Sequence, residues 1–257
     1  MIDNFFAIII FNWFIVTILW TYSLYSKKAD IIDTYWGPSF FFVCLILLFR
    51  ENNYFLINII TSIIVFIWSM RLMLHLHIRN HNKNEDIRYV KLKKKYGNFG
   101  MYLISYLTQV ILIAIVSLPL QVLFYSDLSL NINFISILGI IISVIGIFIE
   151  SLADIQLTKF KNDLSNDGKV MNKGLWKYSR HPNYFGDSLF WWGIFIISYG
   201  VTFNFFVIIA PIAMTYFLLK VSGVSMLENQ IKNTKDGYKE YIETTSSFII
   251  MPRKKDE

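Results

Sequence analysis

GLWKYSRHPNYFGDSLFWWG, residues 174–193, sets Arg180, His181, Asn183, Tyr184 and Asp187 within eight residues and then runs directly into an apolar segment. Polar groups at this density beside lipid are costly to hold unless something binds them. The reading of the stretch therefore depends on whether the flanking sequence lies in a membrane.

The rest of the chain answers that. Apolar runs of spanning or near-spanning length fall at about Phe5–Tyr25, Tyr35–Phe49, Phe55–Leu76, Met101–Phe124, Ile132–Leu152, Phe185–Tyr199 and Phe203–Leu219. About 20 residues cross a hydrocarbon core of ~30 Å, so the second and sixth runs are short and are expected to tilt, to extend by a polar turn or to be partly re-entrant. Pro119 and Pro211 lie inside runs and predict kinks, which membrane helices tolerate. The first run reads as a transmembrane helix rather than a cleaved leader. Asp3 stands where a basic segment would be, and no small-x-small site follows.

Composition agrees. The 257 residues are 55% hydrophobic and 16% charged, and the mean hydropathy is +0.48, too apolar for a soluble surface of this size. The single cysteine, Cys44, excludes an internal disulfide framework, a cysteine-rich metal site and an iron–sulfur cluster. It reads as a small buried hydrophobe.

Of the 24 Lys and Arg residues, 22 fall in the first, third and fifth connections and the tail, leaving Arg50 opposite and Arg71 inside a span. Cytoplasmic loops carry this excess. The expected fold is thus an all-α polytopic membrane bundle of about seven transmembrane helices, N-terminus outside and C-terminus cytoplasmic, in the plasma (inner) membrane or the endoplasmic reticulum. No repeat or linker divides the chain. One domain over 1–257 is expected. Topology also explains the +6 charge, so nucleic acid is not an expected partner.

The string RHPNYFGD at 180–187, preceded by GLWKYS, resembles the C-terminal signature of membrane sterol reductases, the lamin B receptor and, more loosely, steroid 5-alpha-reductase. The tail adds to this: Asp236-Gly237-Tyr238, Tyr241 and Phe248 to Pro252 are similar to the closing segment of those enzymes. With IIDTYWG at 31–37, WSMRL at 68–72, EDIRY at 85–89 and SGVSMLEN at 222–229, the whole chain looks closest to an uncharacterised bacterial-type branch of the superfamily that also holds isoprenylcysteine methyltransferases.

The resemblance implies an NADPH site open to the cytoplasm in the half at about 140–257, with contacts from Arg180, Asn183, Tyr184 and Asp187, His181 in the same turn, and Tyr238 nearby. The chemistry is compatible. An Arg offers a fork to phosphate oxygens, an Asn satisfies both ends of a carboxamide, and an aromatic ring stacks on a flat heterocycle. No GxGxxG follows a strand, which excludes a Rossmann site. A plainer reading stays open, in which Arg180 and His181 snorkel at the interface and Asp187 caps the sixth helix, whose start Pro182 suits.

Glu150 and Asp154 share a helical face at the end of the fifth span. They are either solvated carboxylates or part of the cofactor site, where steroid 5-alpha-reductases carry an Asn and an Asp at this spacing. Arg71 and His75 repeat the spacing on the third span, and Arg71 needs a partner, with Asp33, Glu150 and Asp154 as candidates. The four histidines, His75, His77, His81 and His181, are too few for a di-iron hydroxylase, and no metal site is expected.

The resemblance implies an NADPH-dependent oxidoreductase that reduces a C=C bond in a sterol, isoprenoid or other lipid. The proton donor is not fixed by the match; Tyr35, Tyr89 and Asp33 are the catalytic candidates. The rival is an S-adenosylmethionine-dependent methyltransferase of the isoprenylcysteine type, which shares RHP-x-Y-x-G. Asn183 and Asp187 favour the reductases, whereas Leu227-Glu228-Asn229 is closer to the acidic run of the methyltransferases. A non-catalytic lipid-binding protein is the third possibility.

Overall fold

A computed structural model describes residues 1–81, 83–126, 132–221, 224, 228 and 237–253. Most of SGVSMLEN, together with Asp236, Lys232, Lys235, Lys254 and Lys255, lies outside the described residues. The chain is 82% helical, with no strand among the described residues.

Two compact units divide it. The first is Met1–Phe134 with Ser198–Ala210. Its helices are α1 (Ile2–Ser26), α2 (Ile31–Glu51), α3 (Leu56–Asn80), α4 (Ile87–Met101), α5 (Leu107–Val116) and α6 (Leu118–Tyr125), with a π-helical turn at Tyr102–Tyr106. The second is Ile135–Ile197 with Pro211–Glu257. It holds nearly all of α7 (Phe134–Asn162), most of α8 (Pro182–Thr202) and of α9 (Ile209–Tyr216), and α10 (Tyr238–Thr244).

Among the described residues, five helical stretches are long and apolar enough to cross a membrane: Ile2–Ser26, Ile31–Glu51, Leu56–Asn80, Ile87–Val116 and Phe134–Asn162. The chain is thus a multi-pass integral membrane protein. Two of the seven expected spans are not among these five. Helix α8 has the length, 21 residues, but its Gly, Ser, Tyr and Trp content dilutes its apolarity. The last run divides into a 3₁₀ turn at Phe205–Ile208, α9 and a π turn at Phe217–Val221.

Polarity along these helices is inverted relative to a soluble protein. On α7, Ser136, Gly139, Ser143, Gly146 and Glu150 are buried, while Ile137, Ile141, Val144, Ile145 and Phe148 are exposed. On α1, Asn4, Asn12 and Ser23 face inward while Phe6, Ile10, Trp13 and Phe14 face out. Lipid does not drive helices together by apolarity, so small and polar residues make the contacts. The exposed apolar stripes are the lipid-facing surface.

The hallmark motifs of the first unit meet in pairs. Gly37, in IIDTYWG, lies so close to α3 that a Cβ would stand 2.7 Å from the Ser69 carbonyl oxygen of WSMRL. Trp68 then packs edge-on to Phe40 at 5.9 Å. Cys44 is fully buried in the same unit.

The proline expectations divide. The run at 101–124 breaks at Ser117, two residues before Pro119. The Gln121 side chain repairs the break, donating to the Ala114 carbonyl at 2.9 Å and to the Ser117 hydroxyl at 3.0 Å. Pro211 instead falls in the first turn of α9, where a missing N–H costs nothing. Helix α2 begins at Ile31 rather than Tyr35, taking Asp33 and Thr34 into its first turn.

Candidate functional site

In the second unit, α7 and α8 approach through glycines. A Cβ on Gly146 would meet the Phe190 amide nitrogen at 2.5 Å, and one on Gly186 the Glu150 amide nitrogen at 2.5 Å. Gly139 and Gly193 make equivalent contacts further along. This approach draws the end of α7 under the start of α8. Glu150 and Asp154 are therefore buried, 3% and 5% exposed, and are not the solvated pair that one reading of the sequence allowed.

The polar turn is hooked onto the same end of α7. The Trp176 indole donates to the Ala153 carbonyl at 3.0 Å, and the Gln156 side-chain oxygen accepts from the Leu175 amide at 3.0 Å. Gly174 starts the turn at φ 59°, a left-handed geometry suited to glycine. Pro182 then opens α8, and the His181 carbonyl accepts the Phe185 amide as the first helical bond. Asn183 and Tyr184 thus lie in the first turn of a helix. Asp187 sits in the second turn, 6% exposed, too far along to cap α8.

Arg180 and His181 do not snorkel, being 9% and 5% exposed. The Arg180 guanidinium donates through Nε to Glu228 at 2.8 Å and through Nη1 to the carbonyls of Ile242 and Thr245 at 2.7 and 2.9 Å. His181 Nε2 lies 3.3 Å from the same Glu228 oxygen. Its ring is parallel to that of Tyr184, centroids 5.6 Å apart. Burial alone would raise the Glu228 carboxyl, but hydrogen bonds and charge from His181 and Arg180 outweigh it and hold the group below its ordinary value.

The tail straps this turn. The Arg180 amide donates to the Ser246 carbonyl at 2.8 Å, the Ser179 hydroxyl to Phe248 at 2.7 Å, and the Tyr241 hydroxyl to the Trp176 carbonyl. Tyr238, at the start of α10, is 5% exposed. Burial first, and the Glu228 charge second, push its hydroxyl up to about 12.

Asn183 links the two helices, its amide nitrogen donating to Asp154 at 3.1 Å. Its carboxamide oxygen is buried with no hydrogen-bond partner among the described residues. Leaving such an acceptor unsatisfied costs about 1–3 kcal/mol. A ligand N–H would remove that cost, which is the fit expected of an amide-bearing cofactor. A second feature of this unit is a cationic cavity of ≈ 320 Å³ whose lining includes Lys169, Lys173, Tyr241 and Arg253 and none of the eight candidate cofactor residues.

The first unit holds the three catalytic candidates. Asp33 accepts from the Tyr89 hydroxyl at 2.6 Å and from Arg88 Nη2 at 2.8 Å. Arg88 is also held by Asp86, whose side chain caps α4 through the Arg88 amide at 2.8 Å. Tyr35 stands apart from this group, donating to Asn12 at 2.8 Å. Among the described residues no set of three His, Cys, Asp or Glu side chains is arranged to hold a metal ion.

Sequence reasoning placed Arg180, His181, Asn183, Tyr184, Asp187, Tyr238, Asp154 and Glu150 in one site, and all eight fall in the second unit. It did not assign Glu228 a role. The available signals were the isolated acid in SGVSMLEN and the likeness of Leu227-Glu228-Asn229 to the acidic run of the methyltransferases.

The comparison by family model places the chain in the steroid 5-alpha-reductase-like membrane superfamily. Within it, the chain belongs to the family described as protein of unknown function (DUF1295), whose model matches residues 19–245. No curated protein and no solved structure matches the chain.

Proposed function

We propose that this protein is a membrane-embedded reductase that uses NADPH to reduce a C=C bond in a sterol, isoprenoid or other lipid. The observation that carries the reading is the buried carboxamide oxygen of Asn183 beside Asp154, which has no hydrogen-bond partner among the described residues. A nicotinamide amide offers the N–H donors this oxygen lacks. Tyr184, Asp187, Tyr238 and Glu150 complete the grip. Arg180 and His181 act as its scaffold, holding Glu228 and the tail. Reduction adds one hydride and one proton across the double bond and converts NADPH to NADP⁺; the reduced nicotinamide supplies the hydride.

The proton source is sought among Tyr35, Tyr89 and Asp33. Tyr89 is the better candidate of the two tyrosines, because its hydroxyl is hydrogen-bonded to a second titratable group, Asp33, whereas Tyr35 is bonded to an amide. Seven spans, with the N-terminus outside and the C-terminus cytoplasmic, would place the turn where soluble cofactor is found. The host is a plasma (inner) or endoplasmic reticulum membrane.

The runner-up is a methyltransferase using S-adenosylmethionine, and one observation favours it. The Arg180 fork, which the resemblance to the reductases implies for phosphate, is engaged by Glu228 and two backbone carbonyls.

The deciding experiment is thermal unfolding of detergent-purified protein with NADPH, NADH and S-adenosylmethionine in parallel, since a ligand that binds only the folded state raises apparent stability. NADPH is expected to raise Tm, and Asn183→Ala to remove the rise while leaving the ligand-free protein folded. A rise with S-adenosylmethionine alone overturns the reductase reading.

A further inference from the structure

Helix α4 carries IRYVKLKKKYGNFGM, residues 87–101, and it is not a uniform rod. At Gly97 the backbone turns to φ 70°, ψ 179°, outside helical geometry. The stretch before this kink holds Arg88, Lys91, Lys93, Lys94 and Lys95; the stretch after it, to Val116, has no charged residue. The apolar part therefore spans, and residues 87–96 form a separate short helix at the membrane face.

The two flanks of that short helix differ. One is pinned within the first unit: Tyr89 is buried, Arg88 is bonded to Asp33 and Asp86, and Lys93 pairs with Glu85. The other flank is open. Lys91, Lys94 and Lys95 are exposed and make no ion pair among the described residues, Lys95 resting over the Tyr96 ring at 4.8 Å. Between them stand the exposed apolar side chains of Ile87 and Val90, 55% and 46% exposed, with Phe99 beyond the kink at 63%. Unpaired lysines interleaved with exposed apolar groups suit neither water nor hydrocarbon alone. They suit the interface, where the apolar groups enter the acyl boundary and the lysine stems lift their charges to headgroup phosphates.

We infer that the outer flank of residues 87–96 is a docking surface for anionic phospholipid headgroups of the surrounding bilayer. The chemistry that selects the partner is charge: three uncompensated ammonium groups on one short helix attract a negatively charged leaflet over a zwitterionic one. The opposite flank of the same helix bears Arg88 and Tyr89 against Asp33, so lipid seated on the lysines steadies that cluster as well.

Full-length protein in detergent, mixed with equal amounts of phosphatidylglycerol and phosphatidylcholine and analysed by native mass spectrometry, tests the inference. The wild type is expected to retain phosphatidylglycerol preferentially. Each lysine replaced by glutamine should weaken that preference about fivefold at low salt, and Lys91→Gln/Lys94→Gln/Lys95→Gln should remove most of it. The charge-preserving arginine triple should keep it, with both triples unfolding at the wild-type temperature in neutral detergent. Equal retention of the two lipids by the wild type, or an undiminished preference in the folded glutamine triple, overturns the inference.

Discussion

The Glu228 carboxylate accepts a hydrogen bond from Nε of Arg180 at 2.8 Å, tying together residues 48 positions apart. Arg180 is 9% exposed and also holds two tail carbonyls, so the pair fastens the C-terminal segment to the polar turn. An arginine that the motif suggests for ligand phosphate is thereby also a structural fastener.

Removing both partners of this pair should cost less than the sum of removing each alone. Glu228→Ala strands a buried guanidinium and is expected to destabilise the protein by about 2–3 kcal/mol, whereas Arg180→Met with Glu228→Leu should lose less than the two single changes summed. A double-mutant cycle on thermal unfolding measures the coupling; additive losses would show that the pair does not act as a unit.

The same pair gives stability a pH dependence. Glu228 titrates below its ordinary value of 4.5 in the folded protein, so the unfolded chain binds more protons through that range. Its contribution is fully present above about pH 4.5 and is lost as pH falls through the lower folded value. Unfolding temperature should decline on acidification below pH 4.5, and Glu228→Gln should flatten that decline.

The α7–α8 approach predicts a contrast between two glycines. Gly186→Ala would put a methyl group 2.5 Å from the Glu150 amide nitrogen, where only backbone movement makes room. The expected loss is about 2–3 kcal/mol, together with any NADPH-induced rise in Tm, because Glu150 and Asp154 would shift. Gly97→Ala meets open space but sits at φ 70°, ψ 179°, a region essentially confined to glycine; it should cost about 1–3 kcal/mol of backbone strain yet keep any NADPH-induced rise in Tm. An NADPH response kept by folded Gly186→Ala would contradict the glycine-mediated approach.

For the proton source, Tyr89→Phe removes the hydroxyl bonded to Asp33 and is expected to lower kcat at least ~10²-fold with bound NADPH retained. Tyr35→Phe breaks only the Asn12 bond and should chiefly lower stability. Steady-state reduction of a lipid enone by the two variants separates them; the reverse pattern would move the role to Tyr35.

Part of this site was legible in one dimension. RHPNYFGD drew attention to Arg180, His181, Asn183, Tyr184 and Asp187 because those residue types recur together in a known context. Whether Glu150 and Asp154 were solvated or buried was not legible, because it depends on how closely α8 approaches α7. Glu228 was invisible as a partner, since nothing local links it to a turn 48 residues earlier. The count of seven spans rests on hydropathy, which sees the apolarity of 203–219 but not its division into 3₁₀, α and π segments.

The sequence by itself determined that this is a helical membrane protein, because lipid cannot satisfy backbone polar groups and forces every long apolar run into a helix. It also determined where most polar chemistry collects, since Arg71, Glu150 and Asp187 are the only charged residues inside those runs. Only the tertiary structure decided which charges meet: Asp33 with Arg88 and Tyr89, Arg180 and His181 with Glu228, Asn183 with Asp154. The last of these follows from glycine faces letting the α7 and α8 backbones close to contact, a fit between surfaces that no single stretch of the chain contains.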